Sequence, residues 1–121
     1  MLIVTGRILT SPAAVDELLA DLRSGIPRSL QEDGCQFYSF GLEDAAAGSL
    51  LTLQIWRDES ALAAHLCTSD IAALVGKWAG RFDVQTRLYD ASNERAVGVW
   101  NDPTLQQLIN ESRTRHEVAA Q

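Results

Sequence analysis

Little in this chain points toward a disulfide scaffold, a membrane span or a nucleic-acid surface. Only two of its 121 residues are cysteine. Cys35 and Cys67 form no CxxC pair, which leaves neither a disulfide framework nor a four-thiolate zinc site, so reduced thiols in a cytoplasmic protein are the expectation. Apolar runs fall short of the roughly 18 residues that cross a bilayer. The opening MLIVTGRILT is broken by Arg7 and lacks a basic leader and a small-residue cleavage site, so neither a secretory signal nor a membrane partner is expected. Cations are scarce too: ten Lys and Arg stand against sixteen Asp and Glu, for a net charge of −6. Nucleic-acid affinity needs clustered cations that displace counterions, and here they are scattered, so no such partner is expected. Histidine occurs only at His65 and His116, and no HExxH, GxGxxG or P-loop pattern is present. Neither a metal nor a nucleotide cofactor is predicted.

What is present reads as one globular unit, with 46% apolar and 21% charged residues. Leu2 to Leu9 is aliphatic and β-branched at both parities, as in a strand buried on two faces. Ser11 and Pro12 form a helix start, with the Ser11 hydroxyl as cap. Val15, Leu18, Leu19, Leu22 and Ile26 follow at helical spacing, with Asp16, Glu17, Asp21 and Arg23 on the polar side. Gly25 and Pro27 break this helix, and a last turn carrying Leu30 ends at Asp33 and Gly34. Cys35 to Glu43 and Ser49 to Arg57 then read as a hairpin across the turn at Asp44 to Gly48. Asp58 caps a second helix carrying Leu62 and Leu66. Thr68 or Ser69 restarts it with Ile71, Leu74, Val75 and Trp78 on the apolar side.

Phe82 to Tyr89 is the last strand. The order is β-α-β-β-α-β, an α+β ferredoxin-like arrangement with helices on one face of a four-stranded antiparallel sheet. Strands one and three carry too many apolar residues for the other face to stay solvated, so a twofold homodimer, sheet on sheet, is expected. Residues 1–90 form this domain and residues 91–121 a C-terminal extension. Within the extension Val97, Val99 and Trp100 precede a helix begun at Asp102 and Pro103, with Leu105, Leu108 and Ile109 on one stripe and fraying after Arg113. The extension reads as an arm docked on the body or on the partner subunit.

Two phrases carry a resemblance: Asp33-Gly34-Cys35-Gln36-Phe37-Tyr38 entering strand two, and Gln54-Ile55-Trp56-Arg57-Asp58-Glu59-Ser60-Ala61-Leu62-Ala63-Ala64-His65 from strand three into helix two. Over roughly residues 1–90 the chain resembles the antibiotic biosynthesis monooxygenase family, which adopts a dimeric α/β barrel. The resemblance implies an oxygenase without metal or organic cofactor that uses O2 as co-substrate. Its substrate would be a hydroquinone or polyphenolic, polyketide-type aromatic held between helices and sheet. The haem-degrading proteins of the same fold carry an asparagine on strand one and a histidine late in helix two. Here those regions hold Gly6 and Gly76, so a haem ligand is missing.

His65 is the candidate base, since imidazole titrates near neutral pH; the alternative is a histidine that only packs its helix. Trp56, the other candidate catalytic residue, shares a strand face with Thr52 and Gln54 and is either a wall for a flat ligand or ordinary core. Tyr38 lies with Phe40 on one face of strand two, and parity leaves open whether that face meets the pocket or the dimer core. Trp78 is a core residue or a pocket wall; Arg7 and Arg87 hold a phenolate or an ion pair. The polyketide-oxidising members have asparagine and tyrosine where this chain has Thr52 and Leu62, so their hydrogen-bonding set is incomplete. Three functions stay open: a cofactor-free monooxygenase, a non-oxidative isomerase, cyclase or decarboxylase, and a ligand-binding barrel without catalysis.

Overall fold

The structure is a computed structural model that describes residues 1–98 and 100–120; the expected role of Val99 lies outside the described residues. Four strands, β1 (Leu2–Thr10), β2 (Cys35–Asp44), β3 (Ser49–Trp56) and β4 (Phe82–Asp90), form one antiparallel sheet in the order β2-β3-β1-β4. Leu2 pairs with Trp56, Gly6 with Thr52 and Ile8 with Leu50, while Tyr38 and Phe40 pair with Gln54 and Thr52. Directly paired residues share a face. The helix-covered face therefore collects Leu2, Ile8, Tyr38, Phe40, Leu50 and Trp56, all of them buried. This answers the question parity left open: Tyr38 and Phe40 belong to the helix side.

The other face carries Ile3, Ile55, Phe37, Leu51, Leu53 and Tyr89, the last four between 37% and 50% exposed. Gly6 sits at the sheet centre with φ +150, where a Cβ would run into the carbonyl oxygen of Gln85 on β4. Only glycine lets the two backbones approach this closely.

Above the sheet lie α1 (Val15–Ser24), α2 (Ile26–Ser29), α3 (Glu59–Leu66) and α4 (Ser69–Trp78). Val15, Leu18 and Leu22 are the buried stripe of α1. Ser11 does not cap it. A short 3₁₀ turn, Pro12–Ala14, comes first, and the Ser11 carbonyl rather than its hydroxyl accepts from Ala14 N at 3.0 Å. Asp58 and Thr68 do cap α3 and α4, accepting from Ala61 N at 2.9 Å and Ile71 N at 3.4 Å.

The expected inner face of α3 is corrected. Ala61 and His65 are buried, whereas Leu66 is 59% exposed and Leu62 only partly buried. Small Ala61 lets the helix close onto Gly34, whose own Cβ would sit 2.5 Å from that of Ala61. On α4 the inner anchor is Trp78, which is fully buried, while Val75 is 48% exposed. Asp21, expected among the solvated residues of α1, accepts the Trp78 indole N–H at 2.8 Å.

A fifth helix, α5 (Pro103–Ala120), runs on past Arg113, where fraying was expected. Asp102 Oδ1 accepts from Thr104 N at 2.8 Å at its start. Trp100 is 74% exposed, so of the two docking places the arm reading offered, the body of its own chain does not receive it. Among the described residues no helix is long and apolar enough to cross a membrane.

Candidate functional site

The residues linking α2 to β2 carry Glu32 toward α3, where its Oε2 lies 2.7 Å from His65 Nδ1. The His65 side chain is 2% exposed and that of Glu32 22%. Aromatic rings surround the imidazole: Trp56 is tilted at 37° with its centroid 4.7 Å away, and Tyr38 stands edge-on at 5.1 Å. Phe40 extends this cluster, edge-on to Tyr38 at 5.1 Å. A carboxylate bonded to one ring nitrogen sets the tautomer and orientation of an imidazole, the arrangement used wherever a histidine must move protons in a fixed direction.

Two clefts flank this pair. The larger, about 410 Å³, lies between α1–α2 and α4, with Leu22, Ile71 and Leu74 as apolar walls and Ser29, Glu32 and Tyr38 among its polar lining. Burial pushes the Tyr38 hydroxyl up to about 12, and the hydroxyl of Ser29 beside it only partly offsets the shift. Tyr38 is thus a neutral donor at physiological pH. Two ion pairs stand at this cleft, Arg28 with Asp70 and Lys77 with Asp21, the second at 2.7 Å. The Lys77 ammonium, and after it the Trp78 indole, hold the Asp21 carboxyl below the usual carboxylate range.

The smaller cleft, about 300 Å³, opens beside α3 and is lined by His65, Ala61, Ala64, Arg57 and Asp33 among others. Arg57 grips Asp33 with two bonds of 2.9 and 3.0 Å and lowers its pKa. Glu32 and Thr68 line both clefts.

Of the side chains singled out from the sequence, the fold brings His65 and Tyr38 to cleft walls. Trp56 is fully buried behind them, its indole N–H donating to Gln54 Oε1 at 3.1 Å. Thr52 is buried on the same face and donates to the Ser39 carbonyl at 3.2 Å. Thr52 and Gln54 thus spend polar capacity inside the protein. Leu62 packs against the core outside both cleft linings, and Trp78 is a core anchor.

Arg87 is corrected. It pairs with Thr5 and so projects from the opposite face of the sheet, where it cannot meet a ligand in the helix-side clefts. Arg7 stands on that face too and pairs with Glu43 at 2.6 Å. Cys67 is exposed at the end of α3 while His65 is buried, so the two do not form a nucleophile–base pair. Glu32 and Ser29 escaped the sequence reading. The only signal for Glu32 was a carboxylate shortly before an Asp-Gly turn, and its partner is 33 residues away. Among the described residues no group of three or more His, Cys, Asp or Glu side chains could hold a metal.

Comparison with known proteins agrees with this architecture. Residues 1–77 match the family model described as antibiotic biosynthesis monooxygenase. An uncharacterised protein of Synechocystis sp. is 33% identical over 67 residues, which span 55% of this chain and 46% of that protein, so the match covers about half the relative's length. A Deinococcus radiodurans structure bearing the family's name superposes with a TM-score of 0.72 at 21% identity, covering 82% of this chain and all of that one. A Mycobacterium tuberculosis protein superposes with a TM-score of 0.69 at 24% identity, over 78% of this chain and 98% of that one. At such identities the superpositions establish the ferredoxin-like fold, while the sequence match over residues 1–77, more than half of the chain, establishes kinship: the chain belongs to the antibiotic biosynthesis monooxygenase family.

Proposed function

We propose that this protein is a cofactor-independent monooxygenase that binds a hydroxylated aromatic, a hydroquinone or polyphenolic polyketide-type ring, in the clefts beside Glu32 and His65. The observation that carries the reading is the pairing of the buried His65 with the partly buried Glu32, 2.7 Å apart, with Tyr38 and Trp56 packed around the imidazole. Removing a proton from a phenolic ring makes it a far better electron donor, so a placed base in a cleft whose Leu22, Ile71 and Leu74 can pack the ring supplies the activation that O2 chemistry needs. In the anthrone case a ring CH2 and O2 become C=O and water: one oxygen atom stays on carbon and the other leaves with the two hydrogens. A cleft of about 410 Å³ suits a ligand of two or three fused rings.

A second copy of the chain completes the reading. Phe37, Leu51, Leu53 and Tyr89 leave an apolar sheet face open, and a twofold sheet-on-sheet homodimer would cover it. The free thiols of Cys35 and Cys67 suit a reducing, cytoplasmic setting.

The test is oxygen uptake by metal-stripped protein with a panel of hydroquinones and anthrones, alongside His65→Ala and Trp56→Phe. Uptake by the wild type that both substitutions abolish is the expected result. The same acid–base pair also suits proton transfer without oxidation, and turnover that persists under nitrogen would move the assignment to an isomerase or decarboxylase. Sedimentation of Leu53→Arg, expected to be monomeric, tests the dimer.

A further inference from the structure

We infer that Glu32, not His65, is the group that meets a ligand in the larger cleft, and that it selects a neutral ligand offering a hydroxyl donor. The inference rests on the cleft being the ligand site, as proposed above, and is independent of the oxidative step. His65 lines only the smaller cleft, whereas Glu32 lines both. Glu32 Oε2 is occupied by His65 Nδ1 at 2.7 Å, and no described residue hydrogen-bonds to the second oxygen. An ionised carboxylate only accepts hydrogen bonds, so that oxygen calls for a donor.

Charge points the same way. Five charged side chains line the cleft: Asp21, Arg28, Glu32, Asp70 and Lys77. Both cations are already engaged, Arg28 by Asp70 and Lys77 by Asp21 and by Glu17 outside the lining. An anionic ligand would find no uncommitted cation and would face the Glu32 carboxylate. A neutral phenol would place its O–H on the free Glu32 oxygen, with the Tyr38 and Ser29 hydroxyls in the same wall and its rings against Leu22, Ile71 and Leu74.

Deprotonation then follows in one balanced step. The ligand O–H bond breaks with its electron pair left on the ligand oxygen, and the proton bonds to the free Glu32 oxygen. The carboxylate becomes a carboxylic acid while Nδ1–H of His65 keeps its bond to the other oxygen. His65 is in this scheme the positioning residue, fixing which carboxylate oxygen faces the cleft.

The experiment is anaerobic calorimetric titration of the full chain with 2-naphthol, 2-methoxynaphthalene and 2-naphthoate, using wild type, Glu32→Gln and His65→Asn. The asparagine amide keeps a donor where Nδ1–H stood. Wild type is expected to bind the naphthol about tenfold or more tightly than the methyl ether and the carboxylate, the span of one hydrogen bond to a charged group. Glu32→Gln should shrink that preference to about threefold or less and admit the naphthoate, while His65→Asn should keep it. Should Glu32→Gln fail to fold by circular dichroism, the wild-type comparison of the naphthol with its ether and the His65→Asn titration still decide.

Equal wild-type affinity for naphthol and ether, tightest binding of the naphthoate, or no binding of all three would overturn the inference. So would a preference that survives Glu32→Gln and vanishes in His65→Asn. Absent oxygen uptake with the binding preference intact would sink the oxygenase reading alone; uptake without the preference would sink only the role of Glu32.

Discussion

Removing the Glu32–His65 contact should cost stability in a way that a double-mutant cycle resolves. His65 is almost fully enclosed and Glu32 a fifth exposed. A hydrogen bond to a charged group contributes about 1.5–3 kcal/mol, and the partial exposure of Glu32 brings the expected coupling to about 1–2 kcal/mol. His65→Ala also removes the ring packed between Trp56 and Tyr38, so its total cost should be about 2–4 kcal/mol. Glu32→Ala should cost about 1–2 kcal/mol, and the double variant should be more stable than the sum of the two singles by the coupling energy. Urea unfolding at one fixed protomer concentration measures this, because a cost of 2 kcal/mol moves the midpoint by about 1 M at an m-value near 2 kcal/mol/M. Costs that add to within about 0.3 kcal/mol would refute the argument that the pair holds the α2–β2 connection onto α3.

Three further outcomes follow from contacts described above. Burial raises the Tyr38 pKa from its ordinary value near 10 to about 12, so its contribution is fully present below pH 10 and is lost as pH rises toward 12. Alkaline unfolding curves should show this limb in wild type and lack it in Tyr38→Phe. Asp58→Ala removes the cap on Ala61 N and should lower the urea midpoint, with Asp58→Asn recovering most of the loss. Trp78→Phe keeps an aromatic ring but strands Asp21 without its indole donor. A loss of about 1–3 kcal/mol is expected, and a melting temperature unchanged to within 1 °C would contradict the role assigned to that bond.

Local rules were enough for the element order. Period-two runs, an Asp-Gly turn, Pro12 and the caps at Asp58 and Thr68 act through neighbours a few residues apart, which a sequence displays directly. The same holds for the open apolar sheet face, because β1 and β3 carry more apolar side chains than one helix-covered face can bury, which the composition of the two strands displays directly. α3 defeated the pattern. In an eight-residue, alanine-rich helix the two leucines outrank Ala61 and His65 as an apolar signal. Close approach to Gly34 and a partner for the imidazole nevertheless turned the other side inward.

For the site, the sequence by itself determined that His65, Tyr38 and Trp56 would stand at the junction of the hairpin and the second helix, since all three belong to those adjoining elements. Only the tertiary structure decided that Tyr38 faces the helices, that Arg87 points away from them and that Glu32 completes the pair with His65. The reason is physical. Strand register and the burial of a polar side chain are settled by partners dozens of residues away, through pairing and the high cost of leaving a buried donor unmatched, and no local spacing encodes either.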